Sequence, residues 1–230
     1  MLDKIKYKHD PAGAIHSLDK WVSRHGNRRY IPRDYEYKGG LETTPVFACQ
    51  QVRTELTKLV GVITEQGWFN DDTAVLEIGL GYYGSTHLLW RHLFDTVMTI
   101  EKETERVNRF SRNTEKYYGK EVLNDGQSLF VLGESQSPKS LGKVYGSKHK
   151  FNMLFIDGDH SYEKALADWL LYKDLVIPGG IVVFDDVVLS QNNDHGGVAR
   201  LVKDLEDKHR INYLIDSKMV GIAYYSTPRI

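Results

Sequence analysis

Between residues 74 and 226 short apolar runs of strand length alternate with longer stretches of helical periodicity, and this alternation narrows the fold more than any other feature. "AVLEIG", "TVMTIE", "SLFVLG", "FNMLFID" and "GIVVFDD" read as strands. Residues 85–93, 103–116, 162–175 and 197–208 read as helices, with a shorter helix after Pro138. Strands joined through helices lie parallel, because each return crosses over a face of the sheet. The end of the chain differs. Only Ser217-Lys218 and their neighbours separate "INYLID" from "MVGIAYYS", too little for a crossover helix, so that pair is expected to be antiparallel. The predicted fold class is α/β, a doubly wound, mostly parallel seven-stranded sheet with a C-terminal antiparallel strand pair.

The 230 residues fit one such domain with an N-terminal extension. With 30 Lys and Arg against 31 Asp and Glu, no overall charge steers the chain to nucleic acid or an anionic membrane. The start, "MLDKIKYKHD", lacks the apolar core of a secretory signal, and no run approaches the ~20 apolar residues that span a bilayer. A cytoplasmic location is the expectation. The single cysteine, Cys49, has no internal partner and reads as a small core residue rather than a catalytic thiol.

Residues 1–33 carry eight Lys and Arg against three Asp. That excess suits a solvated arm, a subunit-packing segment, or a lid that touches an anionic substrate. "YKGGLETTP" reads as a linker ending in a helix start, with Thr44 as N-cap and Pro45 as the first helical residue. Val46, Val52, Leu56, Leu59, Val60 and Ile63 continue at helical spacing to about Gly67. The expected division is an extension over 1–45, a lid or a homo-oligomer arm, and a catalytic domain over 46–230.

"VLEIGLGYYGST" sets Gly79, Gly81 and Gly84 as G-x-G-x-x-G between a strand and a helix, with Ser85 opening that helix. Glycines there permit positive φ and close approach of a ligand, and the helix start offers N–H groups to a pyrophosphate or a carboxylate. Glu101 closes the next strand, where a carboxylate accepts ribose hydroxyls in both dinucleotide and S-adenosylmethionine sites. Glu77 favours the second cofactor: it suits a methionine amino group and repels a pyrophosphate. Glu134 and Ser135 end the third strand, where acceptors suit an adenine amino group or cap the next helix.

Asp157 ends the fourth strand, and Asp185 and Asp186 end the fifth. A right-handed crossover sets such strands side by side, about 4.8 Å apart, with their carboxyl ends on one edge. Three carboxylates so placed repel one another until a cation joins them or some protonate. Oxygen ligands favour Mg²⁺, with Mn²⁺ or Ca²⁺ as alternatives, over zinc. His160, three residues beyond Asp157, suits a general base toward a substrate on that metal. Asp159 is as well suited to bonding its own loop, and His195 reads as a lid residue or a bystander.

Residues 74–226 resemble the class I S-adenosylmethionine-dependent methyltransferases. "LEIGLGYYGST" is similar to their first motif, "TIE" to their ribose-binding strand end, and "IPGGIVVFDD" to their fifth-strand entry. The terminal antiparallel pair belongs to that fold as well. "IDGDHSYEKALADW" with "GGIVVFDD" is similar to the metal-dependent macrocin-type sugar O-methyltransferases and to cephalosporin-cluster relatives. This resemblance implies S-adenosylmethionine at Glu77, Gly79, Gly81, Gly84, Ser85, Glu101, Glu134, Ser135 and Asp157. It implies Mg²⁺ on Asp157, Asp185 and Asp186, proton abstraction by His160, and a small hydroxylated acceptor such as a sugar. The glycine loop departs from the family's commoner G-x-G-x-G by Tyr82-Tyr83. Rival readings are a metal-independent methyltransferase, a nicotinamide oxidoreductase, and a non-catalytic cofactor-binding subunit.

Overall fold

The computed structural model describes residues 9–36, 46–68, 72–188 and 196–229. Its strands are β1 (Ala74–Ile78), β2 (Thr96–Glu101), β3 (Ser128–Leu132), β4 (Phe151–Ile156), β5 (Val176–Phe184), β6 (Ile211–Leu214) and β7 (Ile222–Ser226). They form one sheet in the order β3-β2-β1-β4-β5-β7-β6. The first five are parallel, and β7 runs antiparallel to both β5 and β6, as the alternation and the short final turn predict. The chain winds outward from β1 to β3 and then returns to β4 on the other side of β1. The strand order reverses there, which opens a crevice at the carboxyl ends of β1 and β4.

The helices are α1 (Pro11–Ser23), α2 (Arg53–Glu65), α3 (Ser85–Trp90), α4 (Thr104–Tyr118), α5 (Pro138–Gly146), α6 (Tyr162–Tyr172) and α7 (Gly196–Leu205). The two-residue period of the strands sorts their side chains into two cores. Leu76, Ile78, Leu154, Ile156, Val182 and Phe184 pack with Trp169, Tyr172 and Leu201. Val75, Met153, Phe155, Ile181 and Val183 pack on the opposite face with Leu18, Leu56, Leu59 and Trp90. Both faces are covered, which is why these strands read as nearly continuous apolar runs. None of the described helices is long and apolar enough to cross a membrane.

Two N-terminal features depart from the sequence reading. The basic segment contains α1, which is not solvated: Asp10 caps it by accepting from the Gly13 N–H, and Ala14, Ile15, Leu18, Trp21 and Val22 are buried. The Asp19 carboxylate takes both Arg53 Nε and Arg53 Nη2 at 2.7 Å, tying α1 to the start of α2. The expected helix start at Thr44-Pro45 lies outside the described residues. Residues 46–52, read as helix, form a loop, and α2 begins only at Arg53. The backbone bonds of that loop go sideways instead of along a helix. Ala48 N donates to Arg29 O and Gln51 O accepts from Ile31 N. Phe47, Ala48, Cys49 and Val52 are buried there, so the apolar residues that mimic a helix face fill a loop.

If α1 is part of the core, Leu18→Ala removes a fully buried side chain. A loss of about 2–5 kcal/mol is expected, read from chemical denaturation. A solvated arm would lose less than about 0.5 kcal/mol.

Candidate active site

The carboxyl edge of the sheet collects the loops after β1, β2, β3, β4 and β5. At the switch point the backbones of the first and fourth meet. Gly79 has φ +94°, and a Cβ on it would collide with the Asp157 carbonyl. Gly84 (φ +66°) starts α3, and a Cβ there would enter the Phe110 ring. Both are positions that only glycine fills without displacing a neighbour.

Two pockets open along this edge. Gly79, Glu101, Glu134, Ser135 and Asp157 line the first with Arg106 and Gly158. Gly81, Gly84, Ser85 and Asp157 line the second with Gln50, Gln51, Tyr82 and Tyr83. Asp157 belongs to both. Glu101 is nearly buried and its oxygens accept from Leu80 N at 3.0 Å and Glu103 N at 2.8 Å, so it braces the glycine loop against the end of β2. Glu134 is exposed at the rim.

Three sequence-predicted residues are engaged elsewhere. Glu77 shares the parity of Val75 and faces α3 instead of the crevice. It is fully buried and accepts from Trp90 Nε1 at 3.0 Å and Thr99 Oγ1 at 2.6 Å. The Thr99 proton is thereby committed, so His87 Nδ1 donates to Thr99 and His87 Nε2 accepts from Ser128. Burial holds the His87 pKa below its usual value, consistent with that neutral tautomer. The Ser85 hydroxyl is buried and donates to Ala48 O. The Ser135 hydroxyl donates to Asp168 Oδ1 at 2.6 Å. The helix-start N–H groups offered by the glycine loop are also reduced: α3 has only six residues, and Tyr82 N donates to Gln50 Oε1 at 3.0 Å.

The acidic cluster forms, with one rearrangement. Asp157, His160 and Asp186 each bring one ligand atom to within 4.8 Å of the others. His160 Nε2 lies 3.1 Å from Asp186 Oδ2 and 3.7 Å from Asp157 Oδ1. Asp186 sits in the left-handed region, φ +58°, which turns the chain after β5. Asp185 lies deeper. Its Oδ2 accepts from Gln51 Nε2 at 3.1 Å, while its Oδ1 is buried with no hydrogen-bond partner among the described residues. Asp159 stands apart, its Oδ1 taken by Ser161 N and Oγ. His195 lies outside the described residues.

Burial raises the Asp157 pKa to about 6, with the Asp186 charge adding to it against the opposing pull of His160. Burial, reinforced by Asp157 and Asp186, sends Asp185 well above the ordinary carboxylate range. Burial alone would lower His160, but Asp186 and Asp157 outweigh it and raise it to about 9. Cys49 is buried, its thiol pushed up to about 12, which suits a core residue and not a nucleophile.

Sequence reasoning missed Gln50, Gln51 and Asp168. The first two were assigned to a helix. Asp168, inside the apolar helix stretch "ALADWLL", had a signal, since a carboxylate in such a stretch needs a partner. It takes Ser135 Oγ and Gln136 Nε2 on Oδ1, and its Oδ2 is buried with no hydrogen-bond partner among the described residues.

A family model described as a methyltransferase domain matches residues 2–187. The chain belongs to that family. It has the class I S-adenosylmethionine-dependent methyltransferase fold, and it is an enzyme of that kind. No curated protein matches the sequence significantly. Among solved structures, the methyltransferase resembles an O-methyltransferase from Bacillus cereus, in complex with S-adenosylhomocysteine, at 17% identity and TM-score 0.57, covering 94% of this chain and 91% of that one. TomG from Streptomyces achromogenes, an O-methyltransferase of tomaymycin synthesis in complex with S-adenosylmethionine, matches at 18% identity and TM-score 0.58, covering 97% and 92%. MycE of the mycinamycin pathway, in complex with Mg and S-adenosylhomocysteine, matches at 16% identity and TM-score 0.56, covering 92% of this chain and 55% of MycE.

Burial raises the Asp168 pKa from 3.8 to about 6. The folded state therefore holds that proton more tightly, and the stability it confers is complete below pH 3.8 and lost as pH rises through 6. Asp168→Asn removes this loss, at most about 3 kcal/mol. Denaturation from pH 4 to 8 should show the variant gaining on the wild type as pH rises; parallel curves would contradict it.

Proposed function

We propose that this methyltransferase moves a methyl group from S-adenosylmethionine to a hydroxyl of a small molecule, with help from a divalent cation. One observation carries the reading: Asp157 lines both pockets, and its carboxylate belongs to the cluster with His160 and Asp186. Cofactor and acceptor sites would then share one residue, as group transfer between them requires. Two O-methyltransferases among the solved structures, and the methyltransferase MycE in complex with Mg, support it further. A sugar hydroxyl is the acceptor class that the sequence resemblance favours.

Glu101, at the end of β2, is the acceptor for the ribose hydroxyls, and Glu134 at the rim is the one for the adenine amino group. Gly79 and Gly81 leave the backbone bare beside them. A hard divalent cation would suit Asp157, Asp185 and Asp186, which leaves the His160 imidazole beside it. The donors would be carboxylate oxygens, and Asp185 Oδ1 has no hydrogen-bond partner among the described residues. The cation supplies a lowered pKa for a hydroxyl bound to it.

The chain's own residues then orient and deprotonate. A pKa of about 9 keeps His160 protonated at neutral pH, so it is no base while Asp157 and Asp186 act on it alone. With a bound cation taking up their charge, that upward pull would weaken, and His160 Nε2 would be the group to accept the acceptor's proton. The reactants' alignment can supply about 7–11 kcal/mol of the acceleration.

Thermal unfolding with S-adenosylhomocysteine or NAD, each with and without Mn²⁺, tests this. At 100 times its Kd a ligand adds about 2.7 kcal/mol. S-Adenosylhomocysteine should stabilise, NAD should not, and Mn²⁺ should add an increment that Asp186→Asn abolishes while sparing the first effect. Stabilisation by NAD alone would overturn the proposal. An S-adenosylhomocysteine effect with no Mn²⁺ increment would leave a metal-independent methyltransferase.

A further inference from the structure

Gln51 belongs to no motif and lies 106 residues from Asp157 and 134 from Asp185, yet its amide meets both carboxylates. Nε2 donates to Asp157 Oδ2 at 2.8 Å and to Asp185 Oδ2 at 3.1 Å, which uses both of its protons. The other end of the amide is held as well. The Cys49 thiol donates to Gln51 Oε1 at 3.3 Å, so the nitrogen is the end turned to the acids. The Gln51 carbonyl accepts from Ile31 N, and the residue is only 3% exposed. Main chain and side chain are therefore both fixed, and the amide cannot swing away without breaking the loop's own bonds.

Two carboxylates side by side at a buried edge turn apart unless something stands between them. A neutral double donor does this without adding a charge. Lys or Arg there would neutralise the acids and compete with a metal ion; the Gln amide leaves Asp157 Oδ1 directed toward His160 and leaves Asp185 Oδ1 unpartnered. We infer that Gln51 is a positioning residue, whose amide bridges Asp157 and Asp185 and holds their remaining oxygens set for a divalent cation. The inference rests on the metal reading above and adds to it the group that prepares the site.

Direct binding of Mn²⁺ to the full chain, followed by the electron paramagnetic resonance of the free ion, tests it beside calorimetric binding of S-adenosylhomocysteine. Gln51→Met keeps the volume and removes both donors. It should bind Mn²⁺ about tenfold more weakly or worse, the usual cost of losing a partner of a metal ligand, with any loss of S-adenosylhomocysteine affinity clearly smaller than that for Mn²⁺. Equal Mn²⁺ binding by wild type and variant would overturn the role of Gln51 alone. Absence of Mn²⁺ binding by the wild type would overturn the metal reading and this inference together. If Gln51→Met fails to fold, Gln51→Glu decides. It faces two carboxylates with a third, so it should melt below the wild type in chelator and recover more than the wild type with Mn²⁺. Identical melting of the two in chelator would show that the side chain does not act on the acids.

Discussion

The approach of two loop backbones at the reversal of strand order, Gly79 against the Asp157 carbonyl, is the constraint on which the rest of the edge depends. β1 and β4 are neighbours although the chain makes β2 and β3 between them. Their parallel register brings Asp157 beside the glycine loop, where Asp157 N donates to Ile78 O and Gly79 N to Ile100 O. A side chain at position 79 would force these loops apart. With them in contact, one residue, Asp157, lines the pocket along β1, β2 and β3 and sets its carboxylate among the groups that follow β4 and β5.

The same edge is an electrostatic problem that the fold leaves partly open. Asp157, Asp185 and Asp186 converge at this edge, where burial disfavours the charge of the first two, and among the described residues His160 and Gln51 answer them. The imidazole answers with a proton and the amide with two dipoles. Neither neutralises all three acids, and among the described residues Asp185 Oδ1 has no hydrogen-bond partner.

Most of the fold was legible because periodicity records which faces are buried. The short link before "MVGIAYYS" was enough to predict the antiparallel end. The strand-end acids were legible for the same reason, since a parallel sheet sends every strand's carboxyl end to one edge. What could not be read was side-chain direction and distant pairing. Glu77 lies in the first motif, but strand parity turns it to α3 and Trp90. Residues 46–52 mimic a helix because their backbone partners, at positions 29–31, are separated from them in the chain and leave no periodic mark. Gln50 and Gln51 were hidden by that same misreading. The basic charge of the first 33 residues drew attention from the apolar stripe Ala14, Leu18, Trp21 and Val22, which makes α1 part of the core.

The central claim is that Asp157 joins a cofactor pocket to a cation site. A crystal of the protein with S-adenosylhomocysteine and Mn²⁺, measured for anomalous scattering at the manganese edge, tests it most directly. The account predicts cofactor density beside Gly79 and Glu101 and a single strong anomalous peak in contact with Asp157 and Asp186. Cofactor density with no manganese peak at these aspartates, or with the peak elsewhere, would contradict it.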